Sequence, residues 1–236
     1  MDDDRAVRLG VAFARQAAPA GSLCSACVEM LDVSGAGVTI MSGQHSGPVC
    51  SSDERMGRLE DLQFSLGEGP CRDAYDNGEP VTEPDLQHQM ADRWPNYSGS
   101  AVGMGARGVF AFPLQIGKSR VGVLTLYQDT PGPLTIQQTA DSLVVADVIA
   151  KTMVSIQSHS TPPILADELT DSNAHRAEVH QASGMLSIQL GIDVDQALVR
   201  LRAHAYATDQ TVAAVAQQVV SRSLRLGDDR HIDGSE

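Results

Sequence analysis

The run Ser158-His-Ser-Thr-Pro-Pro163 limits this chain's fold more than any other feature. Two consecutive prolines remove two backbone donors and cannot sit inside a helix, and the polar stretch before them has no apolar face to bury. The chain therefore reads as two regions joined there. Its 236 residues suit one medium domain and one small one. Aromatic residues make up only 4%, so both cores must be built from Leu, Val, Ile, Met and Ala.

The second region is helical throughout. Asp171–Leu190 reads as a helix ended by Gly191, which suits a left-handed cap. Asp193 starts a second helix with Val194, Ala197, Leu198, Leu201 and Ala205 on one face. Thr211 caps a third, with Val212, Val215, Ala216, Val219, Val220 and Leu224 on one face. If the second helix turns its core face toward Leu201, then Val199, Arg200, Ala203 and Tyr206 point outward and Arg202 lies at the flank. A solvated face is normally rich in Glu and Lys. Small residues, two Arg and a Tyr instead suit a partner that approaches closely, stacks on a ring and carries phosphate or guanine edges. A protein partner fits the same stripe.

The first region mixes patterns. Asp2–Ala17 and Ser22–Leu31 read as helices, and Gly37–Met41 and Val49–Ser52 as short strands around the turn residues Ser42-Gly43 and Gly47-Pro48. Residues 54–66 and 70–77 suit helices, and Pro80–Glu83 an extended segment. Val109–Ile116 and Arg120–Gln128 form the clearest strand pair, turned at Gly117-Lys118-Ser119. Thr135–Ser158 then reads as a long helix with Leu143, Ala146, Ala150, Met153 and Ile156 along one face. This order implies an α+β sensory layout.

A net charge of −13 argues against a nucleic-acid partner until its distribution is considered. Between Ser172 and Leu226, Arg176, Arg200, Arg202, Arg222 and Arg225 face Glu178, Asp193, Asp195 and Asp209. That end is near-neutral, and the acidity lies elsewhere. The acidic start Met1-Asp-Asp-Asp4 is unlike a secretory signal, and Leu143–Ala150 is too short to span a bilayer, so a cytoplasmic location with no membrane role is expected. Cys24, Cys27, Cys50 and Cys71 suit reduced thiols. Cys24-Ser-Ala-Cys27 is half of a zinc site without its second half, so no metal and no cofactor are expected. A phosphate-cradling loop and a Ser-His-Asp set are both missing.

The stretch His180-Gln-Ala-Ser-Gly-Met-Leu186, then Gly191-Ile-Asp-Val-Asp195, Ala197-Leu-Val-Arg-Leu-Arg202 and Val215-Ala216, closely resembles the ANTAR family of antitermination domains. The resemblance implies a dimeric RNA-binding module that holds tandem leader-transcript hairpins with six-base loops and so prevents a terminator from folding. By position, Ala182, Gly184, Arg202 and the turn residue Thr208 match the family pattern. Where the family often carries Lys this chain has Ser183, which implies one phosphate contact fewer, and Ala205 stands where a small hydroxyl residue is common. The RNA-binding set so expected is Gln181, Ala182, Ser183, Gly184, Val199, Arg200, Arg202, Ala203, Tyr206, Thr208 and Gln210.

Leu66-Gly-Glu-Gly-Pro-Cys-Arg-Asp-Ala-Tyr75, Val81-Thr-Glu-Pro-Asp85, Arg93-Trp-Pro95 and Val109-Phe-Ala-Phe-Pro-Leu114 are similar to GAF domains fused to ANTAR in actinobacteria. The resemblance implies a small-molecule sensor or a dimerisation platform. Arg93, Trp94 and Tyr97 are candidates to line a ligand pocket, and Trp94 equally suits a loop anchor. The expected layout is a GAF-like domain over 1–157, a linker over 158–168, an ANTAR-like three-helix module over 169–226 and an acidic flexible tail over 227–236. The long helix before the linker is the expected conduit between them. The expected function is RNA-binding antitermination by a homodimer, not an enzyme. The alternatives are a ligand-sensing dimer acting on protein partners and a GAF-fold methionine sulfoxide reductase using the cysteines.

Overall fold

The computed structural model describes residues 3–16, 23–42, 45–88, 93–158, 170–208 and 210–227. The expected linker (158–168, apart from Ser158) and the expected tail (227–236, apart from Gly227) lie outside the described residues. The chain divides into two compact units, Met1–Thr170 and Asp171–Glu236.

In the first unit the described elements run α1 (Asp3–Gln16), α2 (Leu23–Leu31), β1 (Gly35–Ser42), β2 (His45–Ser51), α3 (Glu54–Leu66), α4 (Pro70–Asn77), β3 (Val81–Glu83), α5 (Tyr97–Gly103), β4 (Gly108–Ile116), β5 (Ser119–Gln128) and α6 (Ile136–Ser158). The strands form one antiparallel sheet in the order β2-β1-β5-β4-β3. Helices cover both faces, which is why β4 is buried continuously from Gly108 to Leu114 instead of alternating. On one face Val38, Phe110, Phe112, Leu124 and Leu126 pack with Leu31 of α2 and Val145, Ile149 and Met153 of α6. On the other, Met41, Val109, Val123 and Tyr127 pack with Met56 and Leu59 of α3, Cys71 and Ala74 of α4, and Trp94, Tyr97 and Ala101.

Three local expectations are corrected. Leu143 is 45% exposed, because the buried face of α6 runs through Ser142, Val145, Ala146, Ile149, Ala150 and Met153. Gly47 and Pro48 lie inside β2, not in a turn. A proline lacks a donor for the ladder, and an edge strand tolerates one, here beside a register shift at Val38/Thr39 that leaves Val49 unpaired. The four cysteines are not all reduced thiols. Cys24 of α2 and Cys50 of β2 form a disulfide, and Cys27 and Cys71 are free and buried.

In the second unit α7 spans Thr170–Leu190, α8 Val194–Ala207 and α9 Val212–Val220. Gly191 takes φ +64 and ends α7. Asp193 caps α8 by accepting from the Asp195 amide, and Thr211 caps α9 by accepting from the Ala214 amide. Leu224 falls outside α9, which stops at Val220. The chain turns there through Arg222 at φ +61, and the Ser223 and Leu224 amides close back on the Gln218 carbonyl.

Candidate functional site

The interior of the second unit is mostly aliphatic, with Val179, Ala182 and Leu186 from α7, Ala197, Leu198, Leu201 and Ala205 from α8, and Val212, Val215, Ala216 and Val219 from α9; Arg176 and Ser183 of α7 are buried as well. Burying the Leu201 side of α8 fixes what the opposite side presents. Val199 is 61% exposed and Tyr206 74%, with Ala203 exposed between them and Arg200 and Arg202 half-buried at the flanks. Leaving a Val and a Tyr ring in water forgoes burial of apolar surface at roughly 25 cal/mol per Å². The stripe presents an aromatic face and two flanking guanidinium side chains, with the exposed carboxylate of Asp195 one turn before Val199; the ring and the guanidinium groups suit stacked bases and phosphates.

The remaining expected contacts divide by orientation. On α7, Gln181 is exposed and Gly184 borders open space. Ala182 and Ser183 are corrections: both are fully buried within the bundle, and the Ser183 hydroxyl donates to the Val179 carbonyl at 2.8 Å. A side chain pointing inward at 183 makes no phosphate contact, so Ser183 does not leave one missing from the surface. Thr208 ends α8 with its hydroxyl donating to the His204 carbonyl at 2.8 Å, and the Gln210 side chain accepts from Gln218 Nε2, also at 2.8 Å. The sequence reading missed Ile188. It is 87% exposed and shares the outward side of α7 with Gln181 and Gly184, at steps of three and four. Its position opposite Val179 and Leu186 was the available signal.

In the first unit the expected ligand trio does not line one pocket. Arg93 Nε and Trp94 Nε1 both donate to Asp73 Oδ2, at 3.0 and 3.1 Å, and the Arg93 guanidinium lies over the indole. The Trp94 ring is buried and meets Tyr97 edge to face, so Trp94 is the anchor of its loop. Glu68 Oε1 accepts from the Asn96 and Tyr97 amides at the start of α5 and fixes where that helix begins. Arg93 therefore sits at the surface, while the Tyr97 hydroxyl is directed into the interior. Burial, with Cys71 and Glu60 nearby, holds that hydroxyl well above the usual tyrosine range.

The cysteines do not gather into one centre. Cys24, Cys27 and Cys50 lie on one side of the sheet and Cys71 on the other. Burial pushes the Cys27 thiol up to about 12, which suppresses thiolate chemistry there. Among the described residues, no group of three His, Cys, Asp or Glu side chains is placed to hold a metal ion. No described helix is long and apolar enough to cross a membrane.

Comparison with known families agrees with this division. Residues 3–145 match the GAF domain and residues 167–220 the ANTAR domain. The chain belongs to the GAF domain family. Its second unit carries an ANTAR domain, the pairing found in GAF and ANTAR domain-containing regulators. The GAF domain of an Acinetobacter phosphoenolpyruvate-protein phosphotransferase shares the first unit's fold, with a TM-score of 0.50 and 9% identity over 67% of this chain and 95% of that one. The corresponding GAF domain from Coxiella burnetii scores 0.49 at 15% identity, over 67% and 98%. A free methionine-R-sulfoxide reductase from Neisseria meningitidis scores 0.46 at 13% identity, over 66% and 89%. No curated protein matches the chain.

Proposed function

We propose that this chain is a transcription antitermination regulator. Its second unit binds tandem hairpin loops in leader RNA, and its first unit is a sensory and dimerisation domain that controls it. The observation that carries the reading is the outward stripe of α8, Val199–Ala203–Tyr206 flanked by Arg200 and Arg202, within a segment that matches the ANTAR domain. Tyr206 stacks on a loop base, and the two arginines meet phosphate or base edges. Gln181, Gly184 and Ile188 extend the surface along α7, and Thr208 and Gln210 hold the turn that ends α8. The protein acts in the cytoplasm as a homodimer, with one module on each hairpin, and performs no catalysis of its own. The α6 helix, which closes the first unit before the proline run, is the element that transmits its state.

The test is transcription in vitro from a template with two six-base-loop hairpins, the second overlapping a terminator. The full chain raises read-through, and Tyr206→Ala and Arg202→Ala reduce the gain. Read-through unchanged by the wild-type protein refutes the reading.

A further inference from the structure

A disulfide joins the edge strand of the sheet to a helix that also touches α6. Cys24 lies in the first turn of α2, and Cys50 lies on β2, the outermost strand on its side of the sheet. Cys24 is buried and Cys50 only half-buried, so the bridge is approached from its Cys50 end. The ladder is loose beside it: the register shift at Val38/Thr39 leaves Val49 unpaired, and Pro48 offers no donor. The two remaining cysteines stand apart. Cys71 is on the other side of the sheet. Cys27, one turn beyond Cys24, is fully buried and its thiol is pushed up to about 12, so it stays protonated and does not attack the bridge.

The far end of α2 is tied to α6. Gln138 Nε2 donates to the Leu31 and Asp32 carbonyls at 3.0 and 2.9 Å. Gln138 Oε1 accepts from the Thr135 amide and hydroxyl at 2.9 and 3.0 Å, where α6 begins. Between these ends Cys24, Ala26, Cys27 and Leu31 of α2 share a core with Val145, Ala146 and Ile149 of α6. The α2 helix is thus held at its start by a covalent bond to the edge strand and at its finish by the first turn of α6. In the cytoplasm, where the chain is proposed to act, soluble thiols keep cysteines reduced, and a disulfide that forms there is usually one that opens and closes.

We propose that Cys24–Cys50 is a site of reversible exchange with a low-molecular-mass thiol, and that its redox state sets how firmly α2 holds the start of α6. A soluble thiolate attacks Cys50 Sγ. The bond between Cys24 and Cys50 breaks, a mixed disulfide forms at Cys50, and Cys24 leaves as a thiolate. The first-turn amides of α2, a turn with no acidic side chain, favour that thiolate. A second soluble thiolate attacks the sulfur of the bound thiol, leaves with it as a soluble disulfide and releases Cys50. Two electrons and two protons pass from two soluble thiols to the two cysteines, and a soluble disulfide reverses the sequence. The proposal rests on reading the first unit as sensory, names the class of its stimulus and makes no use of the RNA-facing helix.

The experiment treats the full chain with dithiothreitol under native conditions and then with oxidised dithiothreitol. After an acid quench, alkylation in urea should count four free thiols in the reduced protein and two in the reoxidised one. On reduction, hydrogen exchange read by mass spectrometry should speed up by at least about tenfold in α2 and in residues 136–142 of α6, while β4 and β5 keep their protection. A Cys24→Ser/Cys50→Ser variant should exchange like the reduced protein and ignore the reagent; a variant that still responds overturns the proposal. A bridge that opens only in urea overturns it too, as does exchange at 136–142 that reduction leaves unchanged. Protection lost through β4 and β5 as well would make the bridge a structural staple and likewise overturns it. A failed RNA titration would refute the RNA reading and leave these readouts unchanged.

Discussion

Replacing Tyr206 with alanine separates recognition from folding. The ring is 74% exposed, so the second unit loses little packing, and its stability should change by less than about 0.5 kcal/mol. If the ring stacks on a loop base, the complex loses about 1–3 kcal/mol, a Kd weaker by roughly five- to 150-fold. Leu201→Ala is the opposite case on the same helix. Leu201 is fully buried, so truncation costs about 2–5 kcal/mol of folding free energy, and any loss of binding follows the unfolded fraction. Gel-shift titration against a two-hairpin RNA, with urea melts of each variant, reads both quantities. Tyr206→Phe keeps the ring and should bind close to wild type. A Tyr206→Ala protein that binds within two-fold of wild type, with an unchanged melt, refutes the placement of this face against RNA.

With Arg200 and Arg202 as the main cations at the interface, the logarithm of affinity should fall with the logarithm of salt at a slope of about −1.4 to −1.8 per module, or about −3 to −4 for a dimer on both hairpins; a dimer slope steeper than about −6 in filter binding would place the contacts elsewhere. Gly37→Ala drives a methyl into Glu60 and should destabilise the first unit by about 1–3 kcal/mol in denaturant melts, whereas a neutral result would show that α3 gives way. The Cys24–Cys50 bridge spans 26 residues, so Cys24→Ser should cost about 3–4 kcal/mol relative to the oxidised protein, a difference that reductant abolishes. Cys27, ordinarily near 9.0 and here pushed up to about 12, stays protonated in the folded state while the unfolded chain ionises. Folding stability therefore falls as pH rises between those values, and iodoacetamide at pH 8 should spare Cys27 until urea is added; prompt native labelling would contradict its burial.

Legibility in the sequence followed how local each signal was. In α8 all four buried positions, Ala197, Leu198, Leu201 and Ala205, belong to one helical stripe, so the outward face could be read from spacing alone. In α6 the apolar residues spread around the helix, and spacing alone does not show that Leu143 faces outward, because the sheet, not the helix, selects the buried face. The helix α5 escaped notice. Its sequence carries Gly99 and Gly103 and has little intrinsic helicity. It forms because Glu68 accepts from its first amides and because Tyr97, Ser98 and Ala101 are buried. The Cys24–Cys50 pairing depends on β2 folding back along β1 beside α2, which no spacing rule encodes. At Ala182 and Ser183, a family pattern located a motif but not the direction its side chains point.

The most direct test of the central claim is sequencing of RNA crosslinked to the full chain in cells, with Tyr206→Ala protein as the paired sample. Leader transcripts in which two hairpins precede a terminator should be enriched, with a marked loss of those reads for Tyr206→Ala. RNA recovery no greater than background, or the same transcripts recovered equally with both proteins, would contradict it.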